Sequence, residues 1–136
     1  MAEAVAEGVS SIDGASVNLL KADQAGLDDL VACDGLVLGT PEYFGYMSGL
    51  VKDFLDRTYE PARAGGKVFK KPYVAFVSAG NDGSGALASM ERIALGYPLK
   101  KVYEPVVAKG EITEQVLAAC RELGQTIAAG CGAGIY

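Results

Sequence analysis

The chain has 136 residues, the length of one domain with room for a real core. Half of them are hydrophobic, which excludes intrinsic disorder, and the net charge of −5 argues against nucleic acid or an anionic membrane as partner. There is no histidine, so Ser-His and Cys-His nucleophile pairs and most zinc sites are ruled out, and acid–base chemistry falls to Asp, Glu, Lys, Tyr or a cofactor.

Met1 to Ser11 reads as a helix, because Met1, Val5, Val9 and Ile12 recur at helical spacing. Gly14 marks a turn, and Ala15 to Leu20 reads as a strand whose apolar members are Val17, Leu19 and Leu20. Asp23 is placed to cap a short helix carrying Leu27, Leu30 and Val31. Leu36 to Leu38 is an apolar run that suits a strand covered on both faces of a parallel sheet. Gly39-Thr40-Pro41 is expected to end that strand, since proline gives the ladder no donor. Ser48 is an N-cap candidate for a helix with Leu50, Val51, Phe54 and Leu55 on one face. Its other face takes Lys52, Asp53, Asp56 and Arg57. Glu60 to Lys71 reads as a surface loop, and its Arg63, Lys67, Lys70 and Lys71 as a solvated face in preference to a phosphate site. Tyr73 to Val77 is the next strand, and Leu87, Met90, Ile93 and Ala94 mark the helix after it. Leu99 to Val107 holds another strand, with Pro105 near its end. Thr113 can cap a last helix whose Val116, Leu117, Cys120, Leu123 and Ile127 share a face, with Gly130 as its stop.

Strict alternation of helices and strands implies an α/β fold: a three-layer sandwich around a parallel sheet of four strands, formed by residues 1–136 as a single domain. Open sheets of this kind bind ligands at the carboxyl ends of their strands. Two loops sit there. Glu42-Tyr43-Phe44-Gly45-Tyr46-Met47 carries three aromatics, which suit a flat, partly apolar ligand; the competing reading packs them under the loop. Ser78 to Gly85 is rich in small residues. Within it, Gly83-Ser84-Gly85-Ala86-Leu87-Ala88 matches the loose G-x-G-x-x-A dinucleotide pattern, with Glu104 about twenty residues on. Ser78 to Asp82 separate that pattern from its strand, which argues against it. Asp28, Asp29, Asp53 and Asp56 read as solvated surface, not as an acid–base or metal site. Cys33, Cys120 and Cys131 show no ligand-like spacing and read as reduced thiols of a cytoplasmic protein. No apolar run approaches a membrane span, and the N-terminus lacks a basic-then-apolar leader.

The run Gly39-Thr40-Pro41-Glu42-Tyr43-Phe44-Gly45-Tyr46-Met47-Ser48-Gly49, followed by Phe54-Leu55-Asp56, resembles the signature of flavodoxin-like FMN proteins. The most similar branch is the NAD(P)H:quinone oxidoreductases once named tryptophan-repressor-binding proteins. Pro41-Glu42-Tyr43 is also similar to the NADPH-dependent FMN reductases, and Ser78-Ala79-Gly80 to the opening of the family's next flavin loop. The resemblance implies FMN, with Pro41, Glu42, Tyr43, Phe44 and Gly45 along one edge of its ring. Backbone groups of Ser78, Ala79, Gly80, Asn81, Asp82 and Gly83 would meet its pyrimidine end. It implies NAD(P)H as cosubstrate, a quinone or similar small redox substrate, and a homo-oligomer such as a dimer.

The chain also departs from that family. An N-terminal strand and a phosphate loop precede the family's first helix, whereas this sequence starts at or inside that helix and reads as N-terminally truncated relative to the family. Three outcomes are then open: a natural start upstream, a second strand moved over to pair with the third, or an edge lent by a partner. The family's flavin-side histidine, its tryptophan and its tetramer-forming insertion have no counterpart here. Two further functions stay open beside the oxidoreductase: a flavodoxin-type electron carrier, and a domain that has lost FMN and serves assembly or regulation.

Overall fold

The computed structural model describes residues 1–68 and 70–136, so Phe69, inside the segment read as a loop, lies outside the described residues. In order, the elements are α1 (Ala2–Ser10), α2 (Leu27–Ala32), β1 (Leu36–Tyr43), β2 (Tyr46–Met47), α3 (Gly49–Gly65), β3 (Pro72–Ala79), α4 (Ser84–Gly96), β4 (Lys100–Lys101), β5 (Val106–Lys109) and α5 (Glu114–Gly132). β3 lies at the centre, parallel to β1 on one side and to β4 and β5 on the other. Period-2 alternation along β3 makes three layers. Tyr73, Ala75 and Val77 face a core with Phe54 and Leu55 of α3 and Met90 of α4. Val74 and Phe76 face the opposite core, built on Val5 of α1 and Cys120, Leu123 and Ile127 of α5. α1 seats closely on α5, because a Cβ on Gly124 would stand 2.1 Å from the Val5 carbonyl oxygen.

The sheet has five strands, not four, and the difference is local. Ala15 to Leu20 forms no strand; Val17, Leu19 and Leu20 are exposed. A strand needs a hydrogen-bonding neighbour, and none reaches this segment. β1 pairs with β3 along Leu36 to Pro41 and with β2 only at Glu42 and Tyr43. Its other edge from Leu36 to Pro41 therefore carries no strand among the described residues, and the second strand has not moved over to fill it. The predicted strand at Leu99 to Val107 splits into β4 and β5. Four residues, Val102 to Pro105, separate paired Lys101 from Val106, against two between Tyr73 and Phe76, so the chain bulges there.

Other boundaries also shift. β1 runs on through Pro41 to Tyr43, because proline is tolerated on a strand with an open edge. α3 continues through Pro61 to Gly65, where the sequence suggested a loop, and Leu50 is exposed, not buried. Asp23 caps nothing: the Gly26 N–H donates to the Asp29 carboxylate at 2.8 Å and starts α2. α5 passes Gly130, whose bare Cα receives the Tyr136 ring. Ser48 and Thr113 cap α3 and α5 as expected, accepting from Val51 N and Val116 N. No helix among the described residues is long and apolar enough to cross a membrane.

Below the α3–α4 seam, the buried Tyr97 hydroxyl donates to the Leu55 carbonyl and lies 2.7 Å from Thr58 Oγ1. Tyr97→Phe removes a second donor from a carbonyl that α3 already satisfies, and urea unfolding should show a loss of about 0.5–1.5 kcal/mol. Burial raises the Tyr97 hydroxyl above its ordinary value of 10.0. Its stabilising share is thus present below that value and lost as pH rises through the higher folded value, so the variant's stability should fall less steeply at alkaline pH.

Candidate functional site

β1 and β2 form a hairpin in which Tyr43 pairs with Tyr46 across a two-residue turn. Both turn residues have positive φ, 52° at Phe44 and 69° at Gly45, the signature of a primed hairpin turn. Glycine adopts this freely, whereas for phenylalanine it costs about 1–2 kcal/mol. The strained ring is also fully bare: Phe44 is 108% exposed, Tyr43 60% and Tyr46 43%. The competing reading, aromatics packed under the loop, fails for all three. Met47, at 3%, is the side chain that plugs the underside.

β3 ends at Ala79, so Ser78 and buried Ala79 belong to the strand and the second loop proper is Gly80 to Gly83. Asp82 shapes it: one carboxylate oxygen accepts from Ser84 N at 3.0 Å and Ser84 Oγ at 2.7 Å. Those bonds hold the Asp82 carboxyl below its usual range. Gly83 turns left-handed, with φ 73°, and caps α4. Among the described residues, no protein acceptor takes the N–H groups of Gly80, Asn81 or Gly83. Gly80 and Asn81 thus present exposed, unpaired backbone donors at the tip of the central strand.

The two loops meet. Glu42 Oε2 accepts from Ala86 N at 3.0 Å, placing a carboxylate at the electropositive start of α4. Beside it the Gly45 carbonyl rests on Gly85 so closely that a Cβ there would be 1.9 Å from the oxygen. The loops that carry candidate residues 41–45 and 78–83 are thus in contact as a clasped ledge, with Ala79 and Gly83 buried and the Glu42 carboxylate spent on the clasp. Gly85 and Ala86 lay outside the sequence-derived set. A partner 44 positions away leaves no local signal; only the close-approach glycine, noted in a weak fingerprint, hinted at it. That fingerprint itself lacks the required geometry, since Gly80 to Asp82 intervene between β3 and Gly83.

Two carboxylates of α3 are ion-paired. Asp56 pairs with Lys52 at 2.6 Å and Asp53 with Arg57 at 3.0 Å. The Arg57 guanidinium also donates to the Ala22 and Ala25 carbonyls, fixing the chain before α2. No group of three or more potential metal ligands occurs among the described residues. Recesses of about 150 and 260 Å³ flank Tyr59 and Tyr97, where α3 and α4 end, away from the ledge. They are apolar gaps between helix ends without a convergent polar group, so the ledge remains the candidate site.

Residues 18–112 match the family model of the NADPH-dependent FMN reductases. This chain belongs to that family. Among relatives of this reductase-family chain, a flavodoxin of Aquifex aeolicus is 33% identical, covering 94% of the chain and 77% of its own length. An NAD(P)H dehydrogenase (quinone) of Acidithiobacillus ferrooxidans is 36% identical over 50% of the chain and 46% of its own length, so the chain spans less than half of that enzyme. In structure the chain is similar to a flavodoxin, WrbA-like protein from Agrobacterium tumefaciens, with TM-score 0.78, 25% identity and coverage of 95% and 85%. An archaeal flavodoxin shares the fold at TM-score 0.77 and 21% identity, with coverage of 96% and 87%. Flavodoxin-like α/β architecture is therefore established.

Phe44→Gly should act in opposite directions on stability and binding. Removing a left-handed phenylalanine should raise unfolding free energy by about 0.5–1 kcal/mol after the entropy of the new glycine is counted. FMN affinity, measured by fluorescence titration, should drop about tenfold with the loss of roughly 1.4 kcal/mol of ring contact. Equal losses in both would mean that Phe44 is ordinary packing.

Proposed function

We propose that this chain is an FMN-dependent oxidoreductase passing electrons from NAD(P)H to a quinone or a similar flat acceptor. The supporting observation is the clasped ledge: exposed, unpaired N–H donors at Gly80 and Asn81 beside a strained, bare aromatic turn at Phe44. These residues suit the ring end of FMN. The backbone donors would meet the polar pyrimidine edge, whose oxygens need partners, and Gly80 leaves open space for that approach, with nothing within 4 Å of a Cβ built on it. Tyr43, Phe44 and Gly45 would cover the ring's apolar edge. FMN, when bound, supplies the redox chemistry, so no catalytic acid or base is required of the chain. Its residues hold and orient the ring, and their dipoles tune its potential. The exposed aromatics leave a flat acceptor room to stack.

We read residues 1–136 as one domain of a cytoplasmic protein that works as a homo-oligomer such as a dimer. An electron carrier is the second reading, and the flavodoxin relative favours it. Carriers steer onto basic partners through uncompensated acidic rims. Here Asp53 and Asp56 are ion-paired, whereas Asp82 on the second loop has no salt bridge among the described residues and the net charge of −5 suits a carrier.

FMN fluorescence should be quenched saturably by the protein at micromolar concentration; free, bright FMN at high micromolar protein would overturn the reading. Stopped-flow mixing of the FMN-loaded protein with NADPH should bleach the flavin within seconds. Bleaching that needs a protein reductase, with a strong salt dependence, would favour the carrier.

A further inference from the structure

Away from the ledge, at the opposite end of β1, two thiols and an ammonium converge. Cys33 ends α2 in extended backbone, its thiol directed at the Leu30 carbonyl 3.5 Å away. Cys131 lies in the last turn of α5. A Cβ built on Gly35 would stand 2.9 Å from Cys131 Sγ, so that sulfur lies directly over Gly35. Gly35 follows Cys33 by two residues, a reach of about 7 Å between Cα atoms at most. Lys71 Nζ donates to the carbonyls of Val31 and Cys33. Its charge acts on both thiols, and Cys33 acts on Cys131. Both are half-buried and within reach of small reagents, whereas Cys120 is sealed in the core.

We propose that Cys33 and Cys131 form a redox-active dithiol that closes to an intramolecular disulfide by exchange with a low-molecular-weight disulfide such as oxidised glutathione. One cysteine, as thiolate, attacks a glutathione sulfur; the S–S bond breaks and one glutathione thiolate leaves. The second cysteine, also as thiolate, attacks the protein sulfur of the mixed disulfide and displaces the other glutathione. The two cysteines lose two electrons and two protons in total, and glutathione disulfide takes up both pairs to become two thiols. Disulfide geometry asks for Cα atoms about 4.4–6.8 Å apart, so closure brings the last turn of α5 and the segment before β1 within that range. Burial holds both thiols above their ordinary value, partly opposed by Lys71, so closure is slow at neutral pH and quickens as pH rises. The bridge would tie the start of β1 to the end of α5 across a loop of about a hundred residues, which should raise the melting temperature by about 10 °C.

The test is to incubate the full chain with oxidised glutathione at pH 8, then quench, unfold and measure intact mass. We expect a mass lower by two hydrogens, one alkylatable thiol remaining at Cys120, and a Cys33–Cys131 peptide that dithiothreitol cleaves. Cys120→Ser should form the same bridge. Cys131→Ser should stop at a lasting glutathione adduct on Cys33. Lasting adducts on both cysteines of the natural chain, a bridge involving Cys120, a bridge between two chains, or no reaction would each overturn the proposal. Closure that proceeds equally fast in urea would do so as well, because the folded arrangement would then have no part in it.

Discussion

The contact on which the site depends is the clasp between the β1–β2 hairpin and the start of α4. A carboxylate on the hairpin accepts from one N–H of a helix N-terminus, that of Ala86, and a carbonyl lies against a glycine that has no side chain to push it away. Both features are needed for two loops on different strands to share one surface. β1 and β3 are adjacent and in register, which brings their tips level; the clasp then fixes the last few ångströms. Once the hairpin is held there, its aromatic tip has no core to enter and stands in solvent. Met47 takes the buried position beneath it.

The same order explains which parts of this fold were legible in the sequence. Periodicity in Val5, Val9, Leu123 and Ile127, and the caps at Ser48 and Thr113, announce α1, α3 and α5, because those signals are local. Tyr73 to Val77 reads as a strand for the same reason. Ala15 to Leu20 carries an equally good strand pattern and forms none although the outer edge of β1 is unpaired among the described residues, since pairing depends on where the chain runs in space and not on the local pattern. The splitting of β4 from β5 and the run of β1 through Pro41 also depend on pairing partners, which no local window contains. The first site loop was legible through its aromatics and glycine. The clasp was not, because Glu42 and Ala86 meet only after the β1–α3–β3 crossover has brought them together.

Polar satisfaction divides the molecule into two functional ends. At the carboxyl end of the strands, backbone donors at Gly80, Asn81 and Gly83 take no protein acceptor among the described residues and a strained turn is maintained, a pattern that costs stability and belongs to sites that bind. At the other end, the seam between α3 and α4 closes on Tyr97, Thr58 and Leu55 with its hydroxyls satisfied. No buried side-chain polar atom lacks a partner among the described residues. Family membership and fold agree with this division: the flavodoxin-like sheet carries its ledge where α/β sheets of this kind bind their ligands.

Backbone amide shifts recorded during an FMN titration test the central claim most directly, since they report where a ring lands without depending on catalysis. The account predicts that the largest changes cluster at residues 42–47 and 80–86 and reach both loops at the same FMN concentration. Changes centred on Tyr59 and Tyr97, or confined to one of the two loops, would contradict it.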